Sequence, residues 1–325
     1  MRSVDLETNK QPRNDSRWRI PLTAAAILVG ISSAYALPTL LQTGWASYMK
    51  VTGRAEHCDW GRVARFYVDI SRFADYKTEA EEEIRVIRTD PDWPLDLIES
   101  PYGPMWIRRG SAEPGIAWIF AEYRWINDLS PDHLVRQGDT VLDVGAHVGV
   151  FTFEALKRGA ARVVAVEPDP VNIECLRRNF EEEIREGRVS IFEGGAWSKT
   201  GTFTLHLGDN SAWNSMTETV GGESIEVPTA PIDDIVQTHG LDRVDFIKMD
   251  IEGAEKEALR GAERTLAEFS PRVAIDTYQW PHDLPELHAL VDRGSGQYEA
   301  VGGPCEPSMA FDVIVPHITF YEAAD

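Results

Sequence analysis

The stretch "VLDVGAHVGVF", residues 141–151, constrains this chain more than any other. An apolar run ends on Asp143, turns through Gly145 and Gly149 with His147 between them, and becomes apolar again. A buried strand that stops at an acid and a glycine turn leads into a helix whose first N–H groups have no partner within the helix. From here on, short β-branched runs alternate with helical segments. "TVLDVG", "RVVAVEP", "VSIFEGGAW", "VDFIKMDIEG" and "RVAIDTY" read as strands. "VFTFEALKRG", "PVNIECLRRNFEEEI", "AEKEALRGAERTLAEF" and "DLPELHALVDRG" read as the helices between or after them. Continuous apolar strands are those covered on both faces, and the alternation calls for parallel strands with right-handed crossovers. The expected fold is therefore a doubly wound α/β sheet, in strand order 3-2-1-4-5, closed by an antiparallel strand from "FDVIVPHITFYE".

In such a sheet a ligand sits at the C-terminal strand ends, near the point where strand order reverses. Asp143, Gly145 and Gly149 lie there, with Gly145's bare backbone and the helix N–H groups expected to face the ligand. Glu167 closes the second strand, where an acid accepts the hydroxyls of a ribose. An adenosine ligand follows. It is not a dinucleotide, because His147 occupies the place of the glycine that lets a pyrophosphate approach. An acid just before the turn suits a cation, and S-adenosylmethionine carries a sulfonium, an ammonium and a ribose.

Four blocks in order, "GDTVLDVGAHVGVFT", "VVAVEPDPVN", "VPTAPIDDIV" and "VDFIKMDIEGAEKEALRGA", resemble the FkbM family of S-adenosylmethionine-dependent methyltransferases, from Leu134 to Ile275. The resemblance implies a class I methyltransferase (Rossmann-like) fold and methylation of hydroxyls on sugars, glycans or polyketides. It implies that Asp143, Gly145 and Gly149 form the cofactor turn, that Glu167 holds the ribose, and that Glu193 to Ala196 border the adenine. This chain departs from the family at His147, and at "AIDTYQW", where a Glu and a His are more usual.

Methyl transfer is an in-line displacement dominated by positioning, but an alcohol acceptor also needs a base. Asp250, at the end of the fourth strand, is the first candidate; Glu252, His147 and His282 are others. Glu252 and Glu255 also suit plain stabilisation of a helix N-terminus. Lys248 points away from Met249 and is placed to pair with one of these acids. Asp250 with Glu252 could hold a divalent cation, but nothing else in the sequence supports a metal, and none is expected. The long segment between the third and fourth strands begins as a hairpin strand, "TFTLHL", and then reads as an acceptor-side lid containing Trp213.

Residues 1–19 are polar and read as a disordered tail. Residues 20–49 hold no charge, and "IPLTAAAILVGISSAYALPTLL" is long enough to span a bilayer at about 20 residues per crossing. A cleaved signal ending near "AYA", or an interfacial helix interrupted by Pro38, are the rival readings. Residues 50–133 form an extension packed on a catalytic domain at 134–325. Here composition decides two points. A net charge of −21 repels a phosphate backbone, so nucleic acid is not expected as a partner. Cys58, Cys175 and Cys305 are distant and odd in number, and read as free thiols. Basic residues precede the apolar segment, which would send the following domain outward, whereas cofactor supply and free thiols suit the cytosol. The expectation is a catalytic domain held at the cytoplasmic face of a membrane, acting on a glycan, lipid-linked sugar or other small acceptor. The alternative is a methyltransferase-fold scaffold without catalysis.

Overall fold

The computed structural model describes residues 36–111, 115–207, 223–278, 281–295, 298–308 and 312–323. The chain divides into two units, Met1–Leu41 and Gln42–Asp325. Of the first unit only 36–41 are described, as the start of helix α1 (Ala36–Val51). The remaining described elements belong to the second. Helix α2 (Trp60–Glu83) is capped by Asp59, whose side chain accepts from the Arg62 N–H. It leads into an antiparallel meander of β1 (Arg85–Thr89), β2 (Leu95–Glu99) and β3 (Met105–Arg108), then α3 (Ala117–Leu129).

The alternating part follows as β4 (Thr140–Val144), α4 (Val150–Lys157), β5 (Arg162–Glu167), α5 (Pro170–Asn179), α6 (Glu181–Arg185) and β6 (Val189–Glu193). Next come β7 (Gly195–Ala196), β8 (Gly201–Leu207), β9 (Glu223–Ala230), α7 (Ile232–Thr238) and β10 (Phe246–Met249). The chain ends with α8 (Glu255–Arg260), α9 (Glu263–Phe269), β11 (Arg272–Asp276), α10 (Leu284–Ser295), β12 (Tyr298–Gly302), β13 (Cys305–Ser308), β14 (Val313–Pro316) and β15 (Ile318–Ala323).

The main sheet has the order β12-β15-β11-β10-β4-β5-β6, with β15 antiparallel to both neighbours and β4, β5, β6, β10 and β11 mutually parallel. Strand order reverses between β4 and β10, as the sequence pattern requires. Both strands are buried along their whole length. Period two sorts their side chains: Val141 and Phe246 pack on one face, and Leu142, Val144, Ile247 and Met249 on the other. Each such side chain contributes roughly 1.5–3 kcal/mol of burial. The first face is shared with Ile98, Met105, Ile107 and Phe120, so the meander and α3 have no separate core.

Two helices expected as single pieces are each broken in two. Gly261 separates α8 from α9 because a Cβ there would meet the Trp197 carbonyl oxygen at 2.2 Å. Phe180 leaves the helical region (φ −121°) between α5 and α6, where its ring packs against Gly149. The expected hairpin forms from β8 and β9, paired antiparallel. The lid beyond Gly208, with Trp213, lies outside the described residues.

The membrane expectation over residues 20–49 falls largely outside the described residues. Among the described residues, no helix is long and apolar enough to cross a membrane; residues 20–35 lie outside them. Helix α1 buries Ala46 and Met49 against Ala55, Cys58, Val63, Phe66, Cys305 and Ile314. Polar Ser47 and Lys50 interrupt its apolar character. The cysteine reading is corrected: Cys58 and Cys305 form a disulfide with Cα atoms 6.4 Å apart, while Cys175 is free and buried. Their 247-residue separation hides the pairing from any local pattern.

Candidate active site

The glycine turn is tight for reasons internal to the protein. Gly145 has φ +81° and Gly149 φ +97°, both in the left-handed region. A Cβ on Gly145 would stand 1.9 Å from the carbonyl oxygen of Asp250, and one on Gly149 would stand 2.3 Å from the Phe180 ring. The N–H groups of Gly145 and Ala146 both donate to the Val166 carbonyl, at 3.0 and 3.1 Å. The Gly145 N–H is therefore engaged with the neighbouring strand. What approaches these glycines is the end of β10 and the break after α5.

Glu167 ends β5 directly behind this turn. Its Oε2 accepts from the His147 N–H at 2.8 Å, and its Oε1 accepts from the Asp169 N–H at 2.9 Å and the Asn172 side chain at 3.2 Å. A carboxylate has about four acceptor positions, so one remains beyond these three. Burial pushes the Glu167 carboxyl up to about 8, with Asp169 adding to the shift and these hydrogen bonds opposing it. Asp169 caps α5 through the Val171 N–H and pairs with Arg108 of β3 at 2.8 Å. The meander thus reaches the C-terminal end of β5. Glu193 lies opposite Glu167 at the end of β6 and pairs with Arg177 at the surface, and Ala196 is buried in β7.

Lys248 and Asp143 sit side by side, in register on β10 and β4 and on the same face. Asp143 is fully buried; its Oδ2 accepts from the Thr152 hydroxyl at 2.7 Å, and its Oδ1 lies 3.6 Å from the Lys248 ammonium. Lys248 donates to the Gly145 carbonyl at 2.8 Å and stands 3.9 Å from Asp250 Oδ2. Burial raises the Asp143 carboxyl while Lys248 and Thr152 oppose the shift. Burial pulls the Lys248 ammonium down, but Asp143 and Asp250 outweigh it and hold it above its usual value. Asp143 thereby anchors the turn from beneath, whereas Asp250 keeps 35% of its side chain exposed at the mouth of the cleft.

The other candidates separate by environment. Burial, with Lys248 and Arg108, lowers the His147 imidazole to about 3, so the ring is neutral and weakly basic. Its backbone and that of Glu252 are left-handed, with φ +51° and +54°. Glu255 accepts from the Ile251 and Gly253 N–H groups at 3.1 and 3.3 Å, and burial raises it to about 7. It shapes the turn that carries Glu252. His282 lies in the exposed turn Pro281–Asp283.

One part of the site escaped the sequence reading. Asp276 ends β11 beside Asp250, since Met249 and Ile275 are in register. Around it stand Glu122 of α3 and His317 between β14 and β15, with donor atoms of all three within 4.8 Å of one another. Tyr278 stacks on His317 with ring centroids 4.7 Å apart. The departure "AIDTYQW" marked the place, but Glu122 and His317 come from distant elements and only the fold unites them.

Residues 143–295 match the family model described as "Methyltransferase FkbM domain". The chain is 27% identical over 187 residues to "Methyltransferase sdnD" of Sordaria araneosa, covering 47% of this chain and 72% of that protein. It is 29% identical over 192 residues to "31-O-demethyl-FK506 methyltransferase FkbM" of Streptomyces tacrolimicus, covering 50% and 74%. Among solved structures, "Methyltransferase FkbM from Methylobacillus flagellatus KT" aligns with a TM-score of 0.43 and 20% identity, over 83% of this chain and 64% of that one.

Proposed function

We propose that this chain, a methyltransferase whose residues 143–295 form an FkbM domain, moves the methyl group of S-adenosylmethionine to a hydroxyl of a glycan, a lipid-linked sugar or another small natural product. One observation carries the reading. Glu167, the glycine turn and the partly exposed Asp250 lie at the C-terminal strand ends where strand order reverses. The remaining acceptor position on Glu167 suits a ribose hydroxyl, and Glu193 and Ala196 border the adenine side. Asp250 is the base that takes the acceptor proton. Its side chain is 35% exposed beside the turn, with the Lys248 ammonium 3.9 Å from Oδ2; Glu252 is the next candidate and His147 the weakest base. The relatives' printed names speak for methyl transfer, and the second of them for an oxygen acceptor.

In this reading the domain is held at the cytoplasmic face of a membrane. Trp45 and Tyr48 of α1 support it, being 39% and 52% exposed just after the apolar segment. Cofactor supply now supports the cytoplasmic side alone, because the bridged Cys58 and Cys305 no longer do. The test is a transfer screen with labelled S-adenosylmethionine against lipid-linked and free sugars. Label on an acceptor oxygen is the expected result. Tighter binding of NADH than of S-adenosylmethionine would sink the reading.

A further inference from the structure

We propose that Glu122, Asp276 and His317 bind one divalent first-row ion, of the Zn²⁺ or Mn²⁺ kind, beside Asp250 at the acceptor end of the cleft. The inference rests on the methyl-transfer reading for its role but not for the site itself. The three donors come from α3, the end of β11 and the loop before β15, and lie within 4.8 Å of one another. Ligand atoms bound at 2.0–2.2 Å to one ion lie within about 4.4 Å of each other, so a small side-chain adjustment completes the set.

Two of these residues carry a buried polar atom without a hydrogen bond. Among the described residues, His317 Nε2 and Asp276 Oδ1 make no hydrogen bond. His317 is 1% exposed, and its Nε2 is 3.1 Å from Glu122 Oε1, an ion-pair distance. The other ring nitrogen is fixed: Nδ1 is 2.6 Å from Glu306 Oε1. A carboxylate behind a histidine that presents its far nitrogen to two more carboxylates is the usual arrangement around a bound ion. Tyr278 stacks on the ring and Trp125 meets it edge-on at 5.6 Å, so its orientation is held by packing. One nitrogen with two carboxylates suits Zn²⁺ or Mn²⁺ better than Mg²⁺, which favours oxygen alone.

The ion's role follows from its place. It holds the acceptor oxygen and lowers the hydroxyl pKa. The proton passes to Asp250. An oxygen lone pair forms the new O–CH₃ bond while the S–CH₃ pair returns to sulfur, leaving S-adenosylhomocysteine as a neutral thioether.

The experiment is metal titration of chelator-treated, dialysed full-length protein with ZnCl₂ and with MnCl₂, read by calorimetry and metal analysis. One ion per chain is expected, with at least tenfold weaker binding in Asp276→Asn and in His317→Gln, and 10- to 100-fold weaker binding in Glu306→Gln. Circular dichroism establishes that each variant is folded. No stoichiometric binding by the wild type overturns the site, as does binding unchanged in folded Asp276→Asn and Glu306→Gln. Undiminished transfer by metal-free protein overturns the role. Ion binding without transfer to any hydroxyl would instead count against the functional reading and leave the site standing.

Discussion

A side chain on Gly145 would begin 1.9 Å from the carbonyl oxygen of Asp250, so the glycine turn and the strand end bearing Asp250 are packed backbone to backbone. The contact is locked by Lys248, which donates to the Gly145 carbonyl from the residue pair beneath. Gly145→Ala must both hold φ +81°, at a cost of roughly 1–3 kcal/mol, and displace backbone that cannot rotate away, at a similar cost. We expect a loss of about 3 kcal/mol in urea unfolding and a matching loss of cofactor affinity. Stability within about 0.5 kcal/mol of wild type would show that the turn is slack.

This contact also marks what the sequence could and could not disclose. The strands β4, β5, β10 and β11 were legible because both of their faces are buried, which writes a continuous apolar run. The places of Glu167 and Asp250 at strand ends were legible because each apolar run stops there. The reason for Gly145 was not legible, because its close neighbour lies across a sheet crossover. The breaks at Phe180 and Gly261 depend likewise on tertiary contacts, and helical periodicity runs through both. The Glu122–Asp276–His317 group and the Cys58–Cys305 bridge join residues with no shared local pattern.

Glu167 makes cofactor binding and stability depend on pH. Its carboxyl lies near 4.5 when exposed and about 8 in the fold, raised by burial. A raised acid contributes stability that is fully present below the unfolded value and is lost as pH rises through the folded one. Wild type should therefore lose stability between pH 5 and 9 relative to Glu167→Gln, which cannot ionise. A ribose hydroxyl prefers the ionised form, so wild-type affinity for S-adenosylmethionine should rise toward pH 8 and level off above it, with proton release on binding. Calorimetry in buffers of different ionisation enthalpy reads this release. Identical pH profiles for wild type and Glu167→Gln would remove Glu167 from the ribose site.

Asp250→Asn keeps the shape of the side chain and removes its charge. Lys248 retains Asp143 as its partner at 3.6 Å, so the fold and the turn should survive. Turnover should fall more than about tenfold while cofactor affinity changes little. If the variant keeps full activity, the base is elsewhere, and Glu252→Gln becomes the next substitution to measure.

The Cys58–Cys305 bridge ties the loop after α1 to the start of β13, across 247 residues of chain. Around it lie Ala46, Met49, Val63, Phe66 and Ile314, a small cluster that depends on the two ends staying together. Removing a bridge of this kind typically costs about 2–5 kcal/mol, so Cys58→Ser or added reductant should lower the melting temperature. Glu306 follows Cys305 directly and holds the Nδ1 side of His317, so reduction should also loosen the acceptor end of the cleft. Alkylation before and after reduction, read by mass spectrometry, counts the thiols: denatured, unreduced protein should expose Cys175 alone. The same measurement on protein quenched directly from cells bears on its compartment, because bridges persist where the surroundings oxidise. Reduced thiols, with the domain protected from protease added to intact cells, would fit the cytoplasmic placement. A bridged population together with digestion from outside would reverse it, and would leave the supply of S-adenosylmethionine to that side as the next thing to explain.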